Sequence, residues 1–265
     1  MKFGAMNFPV KSLHEEIETI GNLGFDYLEL AMDPPMAHYS FLETNKHAIK
    51  RQLEQYSLGL ICHLPTFVMT ADLTPSLRRA SVDEMVNSLR VAAQLGAAKV
   101  VLHPSMVFGM ASFVPETART YFYTFLEKMI SLATQLELML CLENMMPRNI
   151  LGVYPDELEE IFDRYPSLKL TLDTGHANIR HNNKSRLDEL IKRLGPRIAH
   201  LHLSDNLGKS DDHLEIGAGT IDFEKLLLNL KKLGYDDTVT LEIFTPDRTK
   251  LRVSRDRIES ILREL

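Results

Sequence analysis

The sequence contains only two cysteines, Cys62 and Cys141, and no apolar run that approaches the length of a membrane span. Two thiols are too few for a disulfide scaffold, and they are typical of small core residues in a reducing cytosol. Because a spanning helix needs about 20 apolar residues, we predict no membrane partner. The first ten residues lack the long apolar core of a signal peptide. We therefore expect a cytoplasmic protein.

The sequence also lacks a run of five or more basic residues. Its 30 Lys and Arg are outnumbered by 36 Asp and Glu, which gives a net charge of −6. An extended basic patch is the electrostatic footprint of proteins that bind nucleic-acid backbones. This absence argues against a nucleic-acid partner, although it leaves open a local basic groove within an acidic total.

The length of 265 residues suits one (β/α)8 barrel, which typically needs about 250. A domain of this size buries about three quarters of its unfolded surface, so it can fold without a disulfide or a structural metal. Composition is that of a globular protein, with 45% hydrophobic and 25% charged residues. No linker, low-complexity segment or charge block divides the chain, and we predict one domain over 1–265.

Short β-branched or leucine-rich runs alternate with longer amphipathic stretches, a pattern that predicts a parallel sheet with crossover helices. The predicted strands are 2–6, 26–31, 58–63, 98–103, 138–143, 168–172, 197–203 and 238–243. The predicted helices are 12–22, 43–56, 77–95, 116–135, 156–164, 185–194, 223–233 and 253–264. The first βα loop lacks the G-x-G-x-x-G of a dinucleotide fold. These features favour a closed (β/α)8 TIM barrel, class α/β, over an open doubly wound sheet.

Histidines and carboxylates occur at the predicted carboxyl ends of six consecutive strands. They begin at His63 in LICHLP on the third strand and end at Glu242 in TLEIF on the eighth. The complete set is His63, His103, Glu143, Asp173, His176, His202, Asp211, His213 and Glu242. Because the active site of such a barrel lies at the C-terminal ends of its strands, we expect these side chains to meet in one small volume.

Carboxylates gathered so closely repel one another and take up protons unless a cation compensates their charge. Mixed imidazole and carboxylate ligation suits Zn, Mn, Co or Fe better than Ca or Mg. We therefore predict a cofactor of divalent metal ions, one to three per chain. A single histidine at a strand end is more often structural, and we interpret His200 in this way because it lies one layer deeper than His202.

Two smaller groups of residues each allow two interpretations. Asp205 and Asn206 follow His202 and either orient its ring or form a turn. Most of the twelve methionines fill gaps in the core, but Met69, Met106 and Met145 could instead line an apolar rim.

The order of these motifs resembles the xylose isomerase-like superfamily of TIM barrels, which includes AP endonuclease family 2. This superfamily joins sugar isomerases and epimerases with endonuclease IV. The matching motifs cover essentially the whole chain, in the order HLP, LHP, LEN, DTGHA, HLHLSDN, DxH followed by GxG, and LE. The resemblance implies a metal-dependent (β/α)8 enzyme.

The resemblance also implies how the ligands are grouped. In the endonuclease IV branch, which holds three zinc ions, the first ion would be bound by His63, His103 and Glu143. The second would be bound by Glu143, Asp173, His202 and Glu242. The third would be bound by His176, Asp211 and His213. In the epimerase branch one ion suffices, and its ligands would be Glu143, Asp173, His202 and Glu242.

Several departures from endonuclease IV favour the sugar branch. Thr66 and Met69 stand where endonuclease IV has a Tyr and an Asn, and Gly175 replaces its cysteine. The second βα loop, AMDPPMAHYSF, contains no Arg or Lys that could enter a DNA groove. The epimerase branch usually has an Arg just after the ligand of the seventh strand, and here the segment 207–209 reads LGK. The residue that contacts the substrate is therefore left open.

Our first hypothesis is a metal-dependent isomerase or epimerase that acts on a small sugar, polyol or keto-sugar, with or without a phosphate. Glu143 and Glu242 are the predicted catalytic pair, which moves a proton by way of a metal-stabilised enediolate. His176 is predicted to bind the substrate by orienting a hydroxyl group. The expected partner is a small carbohydrate, and the helices on the barrel exterior offer surfaces for a homodimer.

The alternative hypothesis is an endonuclease IV-like, zinc-dependent phosphodiesterase that acts at abasic sites in DNA. A hydroxide held near Glu143 would then attack phosphorus, while the other ions stabilise the leaving oxygen. The complete set of ligand residues favours this alternative, and the lack of residues facing DNA argues against it. A third class, a barrel that only binds a ligand around a structural metal, does not explain the paired acid–base candidates.

Overall fold

The computed structural model describes residues 1–180 and 185–265. Eight parallel strands close into a barrel in chain order, and the last strand pairs with the first. The strands are β1 Lys2–Met6, β2 Tyr27–Ala31, β3 Gly59–His63, β4 Lys99–Leu102, β5 Met139–Glu143, β6 Lys169–Asp173, β7 Ile198–Leu203 and β8 Thr238–Leu241. The predicted TIM barrel is confirmed.

Helices connect successive strands on the outside of the barrel. They are α1 Leu13–Asn22, α2 Tyr39–Gln55, α3 Pro75–Leu95, α4 Pro115–Gln135, α5 Pro155–Arg164, α6 Thr174–Asn178, α7 Leu187–Leu194, α8 Phe223–Lys232 and α9 Thr249–Glu264. Short 3-10 turns cover Gly109–Phe113 and Gly195–Arg197. None of the helices in the described ranges 1–180 and 185–265 is long and apolar enough to cross a membrane.

The helices pack on the strands through one apolar face, because their buried residues recur at helical spacing. In α7 the buried residues are Leu187, Leu190, Ile191 and Leu194. These faces and the outward side chains of the strands form one continuous core. Cys62 and Cys141 are buried free thiols, as the sequence predicts.

Most predicted element boundaries agree with the structure to within two residues, and two helices begin earlier than predicted. Helix α2 begins at Tyr39 rather than 43, because the ring of His38 accepts a hydrogen bond from Ser40 N and caps the first turn. Helix α9 begins at Thr249 rather than 253. The short helix α6 was not predicted. Its start is fixed by Asp173, whose Oδ1 accepts a hydrogen bond from His176 N.

Strand register brings the predicted ligands to the same level of the barrel. Asp173 lies beside His202 across the β6–β7 pair. His202 in turn lies beside Thr240 across the β7–β8 pair, so that Glu242 follows two residues above it. Side chains that point into the barrel therefore form layers, and the top layer consists of ligand-type residues.

Candidate metal centre

All nine predicted ligand residues lie at the C-terminal end of the barrel. His63, Glu143 and Asp173 are the last residues of their strands, and His202 is the penultimate residue of β7. The others follow strand ends: His103 and Glu242 directly, His176 on α6, and Asp211 and His213 in the long loop after β7. The fold thus brings together the residues that the sequence selects.

Four of these residues, Glu143, Asp173, His202 and Glu242, form what we call the inner set. Each offers one ligand-type atom, and these four atoms lie within 4.8 Å of one another. His202 Nδ1 is 3.2 Å from a Glu242 oxygen, 3.4 Å from Glu143 and 3.7 Å from Asp173. Three carboxylates therefore converge on one imidazole nitrogen.

The inner set has the polar atoms that a cation would satisfy. Asp173 Oδ2, His202 Nδ1 and Glu242 Oε2 are buried and make no hydrogen bond with any described residue. A buried polar atom without a partner costs about 1–3 kcal/mol, and more when it is charged. Three such atoms directed at one point fit a divalent metal, for which imidazole and carboxylate are suitable ligands.

Two histidines and a shared carboxylate form a second group, which we call the histidine set. His63 Nε2 and His103 Nε2 are 3.2 Å apart, and they lie 3.3 and 3.1 Å from Glu143 Oε2. The three ligand atoms lie within 4.8 Å of one another. Glu143 belongs to both sets through the same oxygen, because Oε2 also lies 3.4 Å from His202 Nδ1.

His176, Asp211 and His213, which we call the outer set, are joined through one oxygen. Asp211 Oδ2 lies 3.2 Å from His176 Nε2 and 3.1 Å from His213 Nε2. His213 has a φ of 46°, a left-handed conformation that is uncommon for residues other than glycine. Its ring is directed at Asp211 and also stacks edge-on against Phe244, with ring centroids 4.7 Å apart.

Hydrogen bonds at the far side of each ring determine which nitrogen is available for a metal. His63, His176 and His213 place Nδ1 on the main-chain oxygens of Leu64, Asn144 and Glu242, at 2.8, 2.9 and 3.1 Å. A carbonyl oxygen can only accept, so Nδ1 carries the proton and Nε2 is free in each neutral ring. These three rings are therefore held with Nε2 as the ligand atom.

His202 is held in the opposite way, by a residue that the sequence analysis did not select. Its Nε2 lies 2.9 Å from an oxygen of Glu29, a fully buried residue of β2. Burial raises the pKa of Glu29, but His202 and His200 outweigh this effect and hold that pKa well below its usual range. Glu29 is thus ionised, and the signal for it in the sequence was a carboxylate inside the apolar strand YLELA.

His200 lies one layer below the inner set, as predicted, and contacts the other oxygen of Glu29 at 2.8 Å. Glu29, His200 and His202 also have ligand-type atoms within 4.8 Å of one another. Here, however, the two imidazole–carboxylate contacts are hydrogen bonds that satisfy both oxygens of Glu29. This agrees with the structural role that we predict for His200.

When no cation is bound, the charges of the site raise the pKa values of two of its residues, which therefore keep their protons at neutral pH. We call these two residues the proton store. Burial, together with repulsion from Glu143, Glu242 and Asp211, outweighs the attraction of His176 and raises the pKa of Asp173 to about 8. Burial lowers the pKa of His213, but the carboxylates of Glu242 and Asp211 outweigh it and raise that pKa to about 9. A cation that binds here must displace these protons.

A cavity of about 770 Å³ opens above the metal-ligand residues. Its volume is within the range of about 300–1,000 Å³ that is usual for small-molecule sites. Ligand-type side chains and apolar side chains share its lining. The ligand-type residues are His63, His103, His176, Asp211, His213 and Glu242. Phe8, Met106, Met145 and Phe244 are among the apolar ones, whereas Met69 is not part of the lining.

Arg148 also lines this cavity, and the sequence analysis did not select it. It lies in the loop after β5, five residues beyond Glu143, and its side chain is exposed. No described residue is within hydrogen-bond or ion-pair distance of its guanidinium in the structure. The arginine that the epimerase branch usually places after the seventh strand is absent, and this loop supplies a cation at a different position.

Of the two interpretations of Asp205, the structure favours the turn. Its carboxylate accepts hydrogen bonds from the main-chain N–H groups of Asn206, Gly217, Gly219 and Ile221. A Cβ at Gly219 would lie 2.3 Å from Asn206 O, so only glycine fits there. Asp205 therefore organises the loop that carries Asp211 and His213.

A sequence profile described as "Xylose isomerase-like TIM barrel" matches residues 17–264. The chain belongs to this family. The uncharacterized protein MJ1311 of Methanocaldococcus jannaschii is 30% identical over 249 residues, which cover 91% of this chain and 83% of that protein. A solved structure of a D-tagatose 3-epimerase-like protein has a TM-score of 0.86 and 27% identity, and the match covers 100% of this chain and 98% of that one.

A second curated protein is similar to the chain at lower identity. The probable endonuclease 4 of Mycoplasma pneumoniae is 23% identical over 220 residues, which cover 77% of this chain and 73% of that protein. The chain is thus similar to proteins of both kinds that the sequence analysis weighs.

Proposed function

We propose that this protein is a divalent-metal-dependent isomerase or epimerase of a small sugar, polyol or keto-sugar. The observation that carries this proposal is the placement of Glu143 and Glu242 around one buried imidazole, with Glu242 also lining the cavity. They lie 3.4 and 3.2 Å from His202 Nδ1 and come from β5 and the end of β8. The 27%-identical D-tagatose 3-epimerase-like structure supports the same reaction class.

The residues that would hold the ion are Glu143, Asp173, His202 and Glu242. A transition-metal ion bound there supplies a Lewis acid, which polarises a carbonyl group and offsets negative charge on its oxygen. Burial raises the pKa of Glu143, but the nearby His103 and His202 outweigh this effect and hold it well below its usual range. Glu143 is therefore ionised and able to accept a proton.

Proton transfer is the task of the two glutamates. One removes a proton from the carbon beside the substrate carbonyl, and the other delivers a proton to the opposite face or to the next carbon. Delivery to the opposite face gives epimerisation, and delivery to the next carbon gives isomerisation. His176, which lines the cavity, orients a substrate hydroxyl through Nε2, because its Nδ1 donates to Asn144 O at 2.9 Å.

Apolar walls complete the requirements for this chemistry. Phe8 and Phe244 stack with ring centroids 5.5 Å apart and line one wall, while Met106 and Met145 line the cavity beside Arg148. Such walls exclude water from the reacting carbon and strengthen the electrostatic interactions around it. A cavity of about 770 Å³ accommodates a sugar of ordinary size.

The second candidate function is hydrolysis of a phosphodiester at an abasic site in DNA. The specific observation in its favour is the histidine set, whose atoms lie within 4.8 Å of one another and share Glu143 with the inner set. The 23%-identical probable endonuclease 4 also supports it. Several adjacent ions are typical of phosphodiester hydrolysis.

The test is isotope exchange on a panel of ketoses, inososes and hydroxypyruvate in deuterated water with added Mn²⁺ or Co²⁺. We expect deuterium at the carbon beside the carbonyl, together with a new epimer or isomer. Glu143→Gln and Glu242→Gln should abolish both signals, because an amide cannot exchange the proton. Glu157→Gln, at a partly buried glutamate that pairs with Arg119 at 2.7 Å, is the control and should retain activity.

Two results would contradict this proposal. If the protein exchanges no proton on any of these substrates and nicks an oligonucleotide with an abasic site, the isomerase proposal is wrong and the phosphodiesterase is correct. Retained exchange in Glu143→Gln would remove Glu143 from the catalytic role under either mechanism.

A further inference from the structure

His202 differs from the other metal-facing histidines in what holds its far nitrogen. His63, His176 and His213 donate from Nδ1 to neutral main-chain carbonyls. His202 instead donates from Nε2 to the carboxylate of Glu29, at 2.9 Å. Its ligand atom is therefore Nδ1, which faces Glu143, Asp173 and Glu242.

Glu29 is fixed in place by a chain of hydrogen bonds in the barrel interior. Its second oxygen accepts from His200 Nε2 at 2.8 Å, and His200 Nδ1 lies 2.7 Å from Thr238 Oγ1. Thr238 Oγ1 accepts from Lys99 Nζ at 2.9 Å, and Lys99 pairs with Asp237 at 2.6 Å at the other end of the barrel.

The ammonium group of Lys99, at the start of this chain of hydrogen bonds, determines which atom donates in each bond that follows. Lys99 can only donate, so the Thr238 hydroxyl is free to donate to His200 Nδ1. His200 Nε2 then carries the proton and donates to Glu29. Both imidazole donors thus converge on Glu29, which is fully buried and has both oxygens occupied.

We propose that Glu29 is a positioning residue of the metal site, an inference that rests on the proposed function. It fixes His202 in the tautomer with a bare Nδ1, and its negative charge makes that nitrogen a stronger ligand. A carboxylate behind a metal-binding imidazole has both effects, whereas a neutral carbonyl mainly fixes the tautomer. We therefore expect the inner set to be the tightest metal site of the centre. His202 is supported by Glu29, a carboxylate that is not itself one of the predicted ligands, whereas His176 Nδ1 contacts Asn144 O and the ligand Glu143, at 2.9 and 3.0 Å.

The test is Glu29→Gln, which keeps the size of the side chain and removes its charge. We expect Co²⁺ affinity, measured by competition with a chelator, to fall about 10- to 100-fold, the usual range for such partners. In protein with one equivalent of Zn²⁺, ¹⁵N NMR should show the His202 tautomer with a metal-bound Nδ1 and a protonated Nε2 in the wild type, and a larger fraction of metal-free His202 rings in the variant. Glu157→Gln, the control at a partly buried glutamate, should leave both measurements unchanged.

A second variant covers the case in which Glu29→Gln does not fold. Thr238→Val removes the hydroxyl that supports His200 and should weaken Co²⁺ binding about threefold, less than a direct partner does. A folded Glu29→Gln with wild-type affinity and tautomer would overturn the proposal, and so would wild-type affinity in Thr238→Val when Glu29→Gln is unfolded. Intact metal binding without turnover in the wild type would contradict the isomerase and leave the role of Glu29 standing.

Discussion

The inner set and the histidine set share Glu143 but differ in charge. The inner set has three carboxylates for one imidazole, whereas the histidine set has the shared carboxylate for two imidazoles. The inner set also contains the buried atoms Asp173 Oδ2, His202 Nδ1 and Glu242 Oε2, which make no hydrogen bond with any part of 1–180 or 185–265. We therefore expect a divalent cation to bind most strongly at the inner set.

This difference gives a physical order of filling. The first ion should enter the inner set, because there it offsets the most negative charge and satisfies the most buried atoms. The histidine set then competes for Glu143 with an ion that is already bound. A single-ion sugar enzyme needs only the inner set, whereas a multi-ion phosphodiesterase needs both.

The largest effect should come from Asp173→Asn. The amide keeps the oxygen that caps α6 through His176 N, so the change removes mainly the charge that faces the ion. We expect Mn²⁺ or Co²⁺ affinity to fall more than about 100-fold, because loss of a ligand costs more than loss of a supporting partner. Turnover should fall with it. Calorimetry and a turnover assay measure the two effects.

Metal binding should also depend strongly on pH. In the metal-free chain the pKa of Asp173 is raised to about 8, and that of His213 to about 9. Each proton that the ion displaces makes affinity rise about tenfold per pH unit below the pKa of that group. Calorimetry in buffers of different ionisation enthalpy should detect proton release at pH 7. Affinity that is flat between pH 6 and 8 would contradict the proton store.

The same shifts predict a change in stability. The folded pKa values of Asp173 and His213 lie above their unfolded values, so the folded metal-free chain binds more protons. The stability that Asp173 contributes is therefore lost as pH rises from about 4 to 8, and that of His213 as pH rises from about 6.5 to 9, so both contributions fall between about 6.5 and 8. The Tm of the chelated protein should fall across this window, and added Zn²⁺ should reverse the fall. A Tm that rises instead would show that other groups dominate.

A smaller effect is expected from Asp211→Asn, the matched change in the outer set. Its Oδ2 joins His176 to His213 but belongs to neither the inner set nor the histidine set. A one-ion epimerase should therefore keep its metal and lose less than about tenfold in turnover, the lower end of the range for groups that support a metal site. Loss of activity as complete as in Asp173→Asn would favour a multi-ion phosphodiesterase.

The smallest effect should come from Arg148→Gln at the edge of the cavity. Arg148 is exposed and lines the cavity, and it is not one of the two proposed acid–base residues, so it would contact the substrate without taking part in proton transfer. We expect KM to rise several-fold, equivalent to about 1 kcal/mol of lost binding, while kcat stays close to that of the wild type. A phosphorylated substrate should show a larger rise in KM, because arginine binds phosphate strongly. An unchanged KM for all substrates would exclude Arg148 from binding.

The sequence was sufficient for the barrel and for most of the centre. Short β-branched or leucine-rich runs, bounded by amphipathic stretches, located every strand, and closure of the barrel brings the ligand-type residues at the strand ends together. His63 and Asp173 are strand-terminal in both the prediction and the structure to within one residue. These features depend on local sequence pattern and on topology, and both can be predicted from one sequence.

Other parts depend on contacts that no local pattern encodes. Glu29 belongs to the site because its side chain reaches His202 of β7 from β2 across the interior of the closed barrel. Arg148 lines the cavity from the loop after β5. Helix α6 begins at Thr174, directly after β6 ends at Asp173. Because no loop separates the strand from the helix, the sequence contains no turn signal that would reveal where the helix begins. For two of these three features the sequence contains a weak signal. For Glu29 it is a carboxylate in an apolar strand, and for Arg148 it is an arginine close to a ligand residue.

The most direct test of the metal-dependent account is elemental analysis of the purified protein combined with anomalous scattering from its crystals. We predict a transition-metal ion between Glu143, Asp173, His202 and Glu242, with occupancy higher than at any other position of the centre. An ion only at His63 and His103 would contradict the order of filling. A protein without any transition metal, even after incubation with Zn²⁺ or Mn²⁺, would contradict the account as a whole.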